Sequence, residues 1–331
     1  MITLHDMNFH TPENAGHEWG ETTYFDIFIP EANIHAWVYL CFRAGVGAVL
    51  CDVTVVDSTS TSLLDALYID TQNHLPLPQR MDKFTLANGL SLDATDGPRN
   101  YRVDYIGVDD TELHIVAAGI MEPYDIHDPN IDPMAEHDPQ RAVANSGFGT
   151  AYSNHFDLTC HVTGTLKVHG RTYDVDCVAV MDHSWGPRGE RGMRPMCWMN
   201  ANFSTGYSLQ GIWSLDLAAP EGAQHEFKHG YAVVDGDVVG AVSGTLTTKR
   251  SNEFTLGAEL CLTDIHGREH RADGTVMNLH SWLPYANCLT PTQMMAWTAA
   301  DQPMGYGTIM EGMPLDSCLR GRPANRQPRQ P

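Results

Sequence analysis

Between residues 23 and 310 the chain repeats one pattern: short runs of alternating apolar and polar side chains, closed by Gly, Asn, Asp or Pro. A period of two puts successive side chains on opposite faces of an extended strand, whereas a helix needs apolar residues every three to four positions. Upstream runs fall at 23–29, 35–42, 48–56, 99–108 and 112–120. Downstream runs fall at 155–168, 171–181, 196–203, 207–217, 229–234, 237–247, 254–263, 269–276, 294–299 and 305–310. Helical periodicity is nearly absent, and its best candidate is 61–70. Tight antiparallel turns are signalled by His169-Gly170 and Asp235-Gly236, with a similar signal at His266-Gly267, because these residues tolerate positive φ. The pattern predicts an all-β protein of two antiparallel barrel or sandwich domains.

An acidic stretch carrying Pro123, Pro129, Pro133 and Pro139 reads as a linker. It divides the chain into an N-terminal β domain over 1–145 and a C-terminal β domain over 146–319; the polar tail 320–331 is expected to be disordered. A closed barrel built from meandering strands can hold one apolar ligand in its mouth or interior.

Charge and composition narrow the partners. The 331 residues carry 41 acidic against 20 basic side chains, a net −21 that opposes polyanions, so nucleic acid and anionic membrane surfaces are excluded as expected partners. A small hydrophobic molecule fits better, and a homodimer is compatible with the sequence. Residues 1–10 show neither a basic n-region nor an apolar h-region, and no window approaches the length of a membrane span, so the expected location is cytoplasmic. The eight cysteines sit singly within apolar runs, as expected of buried thiols in a reducing compartment. The seventeen histidines include no HxH spacing, and no metal site is expected. No phosphate-cradling glycine motif points to a nucleotide, and no cofactor is expected.

The densest chemistry is Asp182-His183-Ser184-Trp185-Gly186-Pro187-Arg188, at the end of the β-branched run 173–181. Strand ends suit reacting groups because the sheet fixes them while the loop opens space. Asp182 can act as a proton donor if an apolar site keeps it protonated, His183 can orient the acid or activate water, and the Trp185 ring can stabilise a cation. A regular strand, however, sends Asp182 and His183 to opposite faces. Both faces are apolar, as for a strand buried on both sides, and only a bulge can bring the two side chains together. Further candidates for substrate contact are Trp198, Asn200 and Asn202 at period two, Tyr207, Trp213, and the arginines 188, 191 and 194, which can clamp a carboxylate.

The succession Val162-Thr163-Gly164-Thr165-Leu166-Lys167-Val168-His169-Gly170-Arg171-Thr172-Tyr173, followed by Met181-Asp182-His183-Ser184-Trp185-Gly186-Pro187-Arg188, resembles the carotenoid 1,2-hydratase and AttH-like superfamily of tandem lipocalin-like proteins. The match is best with its bacterial branch. Glu21-Thr22-Thr23-Tyr24-Phe25-Asp26 and Gly305-Tyr306-Gly307-Thr308-Ile309-Met310-Glu311 extend the resemblance over most of the chain. It implies two calycin-like domains in contact, a pocket for a hydrophobic substrate, and hydratase, isomerase or cyclase chemistry without a redox cofactor. His183 and Trp185 match motif positions that the hydratases are thought to use. The expected activity is hydration or dehydration of a terpenoid-like, steroid-like or aromatic compound in a β-barrel pocket; isomerisation, cyclisation or ligand binding without chemistry are the alternatives.

Overall fold

The computed structural model describes residues 1–138, 141, 148–189, 193–220 and 222–318. The tail 320–331, Pro139 and Arg191 lie outside the described residues. The fold is all-β, built from two antiparallel sheets. The first contains β1 (Trp19–Ile29), β2 (Ile34–Arg43), β3 (Ala48–Val56), β4 (Tyr68–Pro76), β5 (Lys83–Thr85), β6 (Leu90–Asp93), β7 (Asn100–Ile106), β8 (Glu112–Gly119), β9 (Tyr124–Asp125), β10 (Asn154–Val168) and β11 (Arg171–Pro187). Its order is β4-β3-β2-β1-β11-β10-β8-β7-β6-β5, with β9 pairing on β10. The second is a closed barrel of β12 (Met196–Ser204), β13 (Tyr207–Leu215), β14 (His225–Val234), β15 (Asp237–Ser251), β16 (Phe254–Asp264), β17 (Glu269–Tyr285), β18 (Cys288–Thr298) and β19 (Gly305–Pro314).

The tight turns form as their residues dictate: His169 and Gly170 take φ of 49° and 77°, Asp235 and Gly236 take 55° and 88°. Two expectations are corrected. Residues 61–70 are not a helix but a short 3-10 turn, Leu63–Asp65, leading into β4. The long strands β10 and β11 pair with each other and then with β8 and β1, so the motif belongs to the first sheet. The division between the sheets therefore falls between Pro187 and Met196 rather than at 145/146. Fifteen ladder pairs along the β10–β11 hairpin, together with the edge that β1 offers, outweigh the local linker signal of the prolines.

The barrel interior is full. Cys197, Met199, Leu209, Trp213, Met295, Trp297 and Ile309 pack there as one apolar cluster, as side chains do in an eight-stranded barrel. The opposite face of β12 turns to the first sheet, where Trp198 donates to Asp157 (2.8 Å) and Asn200 donates to Asp26 (3.2 Å). Tyr39 and Tyr285 join their hydroxyls across the same junction at 2.5 Å, and Thr159 meets Tyr231 at 2.8 Å. Among the described residues no helix is long and apolar enough to cross a membrane.

Where β11 ends, Gly186 adopts φ 154°. A Cβ there would press into the Thr150 carbonyl oxygen of the turn Gly149–Tyr152. Only glycine permits that approach at that φ. Gly186→Ala is expected to lower the melting temperature by at least about 3 °C, read by scanning calorimetry, because the turn carrying Tyr152 must move.

Candidate active site

Strand β11 lies within the first sheet, between β1 and β10, and its side chains alternate between the two faces of that sheet. Asp182, Ser184 and Arg188 face a cavity at the junction with the barrel. Thr22, Tyr24 and Tyr39 line it from the first sheet, Tyr152 from the turn before β10, and Trp198, Trp282, Tyr285 and Met310 from the barrel. Tyr24 and Asp157 are the Cα partners of Asp182 on the adjoining strands.

Asp182 lies below the protein surface, yet its side chain remains accessible from the cavity. Among the described residues, none hydrogen-bonds its carboxyl. Burial pushes its pKa up to about 7; the charges of Asp157 and Asp26 add to the rise, while His155 and Arg188 oppose it. The neighbouring acids differ. Asp157 accepts hydrogen bonds from Trp198 (2.8 Å) and Gln210 (3.0 Å) and contacts His155 Nε2 at 3.0 Å. Asp26 accepts from Tyr24 (2.7 Å) and Asn200 (3.2 Å) and contacts His35 Nε2 at 2.8 Å.

Arg188 is buried, and among the described residues it makes no ion pair. Its Nη2 donates to Ser184 Oγ, its Nη1 makes a long contact to Tyr285 Oη at 3.5 Å, and its guanidinium lies 5.0 Å from the centre of the Tyr152 ring. Its Nε has no hydrogen-bond partner. The backbone fastens it, with its N–H on the Glu18 carbonyl (2.6 Å) and its own carbonyl on Arg43 (3.0 Å).

His183 and Trp185 occupy the opposite face. The His183 Nδ1 donates to the Thr22 carbonyl at 2.7 Å, and burial lowers its pKa to about 4, so the ring is neutral near pH 7. It borders a second, small apolar cavity with Met7, Phe42, Met81, Phe84 and Tyr101. Trp185 stacks flat on His10, with ring centres 3.6 Å apart. Asp182 therefore does not meet His183 and Trp185 in one cavity, because the strand stays regular through its pairing with β1 and β10.

Of the other residues singled out in the sequence, Trp198 and Arg188 line the junction cavity with Asp182, as does Arg194. Asn200 and Asn202 are buried in a chain of amides, Asn202 donating to Asn200 at 2.7 Å. Tyr207 contacts His270 at 3.1 Å, and Trp213 packs against Phe227 inside the barrel. These four lie outside the junction cavity. Sequence reasoning missed Tyr24, Tyr39, Tyr152, Trp282 and Tyr285. One signal pointed to Trp282: His183-Ser184-Trp185 recurs as His280-Ser281-Trp282, and the turn His169-Gly170-Arg171 recurs as His266-Gly267-Arg268, both at an offset of 97 residues. Strands β11 and β17 are thus matching copies in a tandem fold.

These features define a two-sheet β protein with an aromatic, acid-bearing cavity at the junction of its halves. The chain belongs to the family described as "Domain of unknown function (DUF7064)", whose profile matches residues 3–313. Among solved structures it is similar to kievitone hydratase from Nectria haematococca, at 10% identity, with 96% of this chain and 94% of that one covered and a TM-score of 0.56. It is also similar to a putative AttH from Nitrosomonas europaea, at 12% identity, 91% and 94% coverage and a TM-score of 0.56. At these identities the likeness establishes a shared fold. No curated protein matches the chain in sequence.

A carboxyl with a folded-state pKa near 7 binds its proton more tightly in the native chain than in the unfolded one. Its contribution to stability is complete below the unfolded value and is lost as pH rises through about 7. Wild-type melting temperature should therefore fall between pH 6 and 8.5 more steeply than that of Asp182→Asn, and the variant should be the more stable of the two at pH 8.5. Parallel profiles would remove Asp182 as a buried titrating group.

Proposed function

We propose that the junction cavity carries out acid-catalysed addition or loss of water at a carbon–carbon double bond of a hydrophobic terpenoid-like, steroid-like or aromatic molecule. The observation that carries this reading is Asp182, an unpaired carboxyl open to an aromatic cavity, with its pKa raised to about 7. A protonated acid of that kind is what an unactivated alkene requires. The π pair takes the proton from Asp182 to form a C–H bond, leaving a cation on the neighbouring carbon. Tyr24, Trp198 and Trp282 border the cavity, with Tyr24 to Trp198 ring centres 5.7 Å apart and Tyr24 to Trp282 6.1 Å apart. Their faces favour a nearby cation. Water then adds to the cation and returns a proton to the Asp182 carboxylate, and the reverse sequence expels water from an alcohol. None of these steps transfers electrons to a redox cofactor.

Arg188 serves the other end of the substrate. Its guanidinium, with Ser184 and Tyr285 beside it, suits a carbonyl, phenolic or carboxylate oxygen. In this reading His183 supports the strand from the opposite face and does not touch the reacting atoms. The shared fold with a protein named for a hydration supports the assignment by analogy alone. Isomerisation or cyclisation uses the same first step and ends in loss of a proton without capture of water.

The test is incubation of the full chain with a panel of terpenoid, steroid and aromatic alkenes and alcohols in oxygen-18 water, read by mass spectrometry. A product shifted by one labelled water is expected, with turnover lowered about 100-fold or more in Asp182→Asn and ligand binding retained. An unlabelled isomer would replace the hydratase assignment with an isomerase or cyclase. Ligand that binds and is recovered unchanged would leave a carrier protein and overturn the proposal.

A further inference from the structure

Three side chains on the far side of β11 play no part in the proposed reaction, yet they converge. His10, Glu21 and His183 each bring one donor atom to within 4.8 Å of the other two. Glu21 is fully buried. Its Oε1 accepts from Thr11 Oγ1 (2.5 Å) and Trp19 Nε1 (3.0 Å), and the His10 backbone N–H reaches both carboxylate oxygens at 2.9–3.0 Å. Its Oε2 faces the His10 Nδ1 at 3.3 Å, while the His10 Nε2 lies 3.3 Å from Asp6 Oδ1. A His10 that gives its Nε2 proton to Asp6 points the Nδ1 lone pair at the Glu21 carboxylate. Two lone pairs at that distance repel unless a cation sits between them.

His183 completes the set. With Nδ1–H committed to the Thr22 carbonyl at 2.7 Å, the Nε2 lone pair is free; it is buried and has no hydrogen-bond partner. A backbone or carboxylate acceptor on the outer nitrogen, fixing the tautomer and aiming the inner one, is the arrangement found in metal-binding histidines. Here both imidazoles have it, one from Asp6 and one from Thr22. Donor atoms around a tetrahedral ion at about 2.0–2.1 Å stand roughly 3.3 Å apart, the separation already present between His10 and Glu21. Among the described residues a second such group, Cys197, His225 and Glu311, differs because the Arg250 guanidinium already bonds Glu311.

We propose that His10 Nδ1, Glu21 Oε2 and His183 Nε2 hold one divalent transition-metal ion of the zinc class. Two imidazoles and one carboxylate suit such ions over magnesium or calcium, which favour all-oxygen sites. Since His10 precedes β1 and His183 lies on β11, the ion fastens the N-terminal segment onto the first sheet and stabilises the folded state.

The test uses the full chain stripped by chelator and titrated with zinc and with cobalt(II). One equivalent of zinc by elemental analysis, visible cobalt bands of tetrahedral intensity, and a melting temperature raised by zinc are expected. Glu21→Gln and His183→Ala should each weaken zinc at least tenfold, while His225→Gln should not. Wild-type protein that binds no stoichiometric ion at micromolar zinc would overturn the proposal without relying on any variant, and would leave a doubly bridged His10 imidazolium between Asp6 and Glu21. Binding lost in His225→Gln but kept in His183→Ala would overturn it by moving the ion to the barrel. Neither result bears on Asp182, which lies on the other face.

Discussion

Strand β11 is the common wall of two compartments, and the period-two alternation of its side chains decides what each can do. Its residues Asp182 and Ser184, with Arg188 just past its end, open toward the barrel, while His183 and Trp185 turn to the other face, against His10. The strand keeps this alternation because it is laddered on both sides, to β10 along its whole length and to β1 at its end. A one-residue slip would exchange the two sets and break both compartments together. The motif is therefore two motifs interleaved, one facing the junction cavity and one packed against His10 of the N-terminal segment.

The identity of the acid follows from how hydrogen bonds are shared at the junction. Asp26 and Asp157 are more deeply buried than Asp182, but each accepts two hydrogen bonds and meets a histidine. Asp182 lies directly across the β10–β11 ladder from Asp157 with none. A carboxyl without donors and beside another acid holds a proton more tightly, the direction seen at Asp182. The anchoring of one aspartate thus sets the chemistry of its neighbour.

Alternation, turn residues and the missing helical period made the all-β fold legible in the sequence, as the His169-Gly170 and Asp235-Gly236 turns illustrate. The short strands β5 and β6 were not legible, since three or four residues carry too little pattern. The sheet boundary was hidden because the prolines after residue 120 signal a local break, while the pairing of β10 with β8 is a long-range fact. Asp182, Arg188 and Trp198 were legible as a concentration of chemistry near one strand end. The tyrosines opposite them were not, because Tyr24, Tyr39 and Tyr285 reach the cavity from strands far apart in sequence. His10 and Glu21 were invisible for the same reason: motif spacing detects groups that share one element, and His10, Glu21 and His183 come from separate segments.

One tension in the chamber explains its polarity. Arg188 and Asp182 border the same cavity, and a direct ion pair between them would keep the carboxyl ionised and useless as an acid. The chain avoids that pairing by turning the guanidinium to Ser184, Tyr285 and the Tyr152 ring, all neutral groups. Neutral hydroxyls and a ring hold a cation in place without cancelling its charge. The cavity therefore sets a guanidinium beside the tyrosine hydroxyls and the Asp182 carboxyl, its pKa raised to about 7, beside aromatic rings. Under the proposed function, a wholly apolar ligand leaves the guanidinium buried and uncompensated, whereas one carrying an oxygen at one end and an alkene at the other satisfies both groups at once. On that reading, discrimination between such ligands rests on how the distance between oxygen and alkene matches the spacing of Arg188 and Asp182.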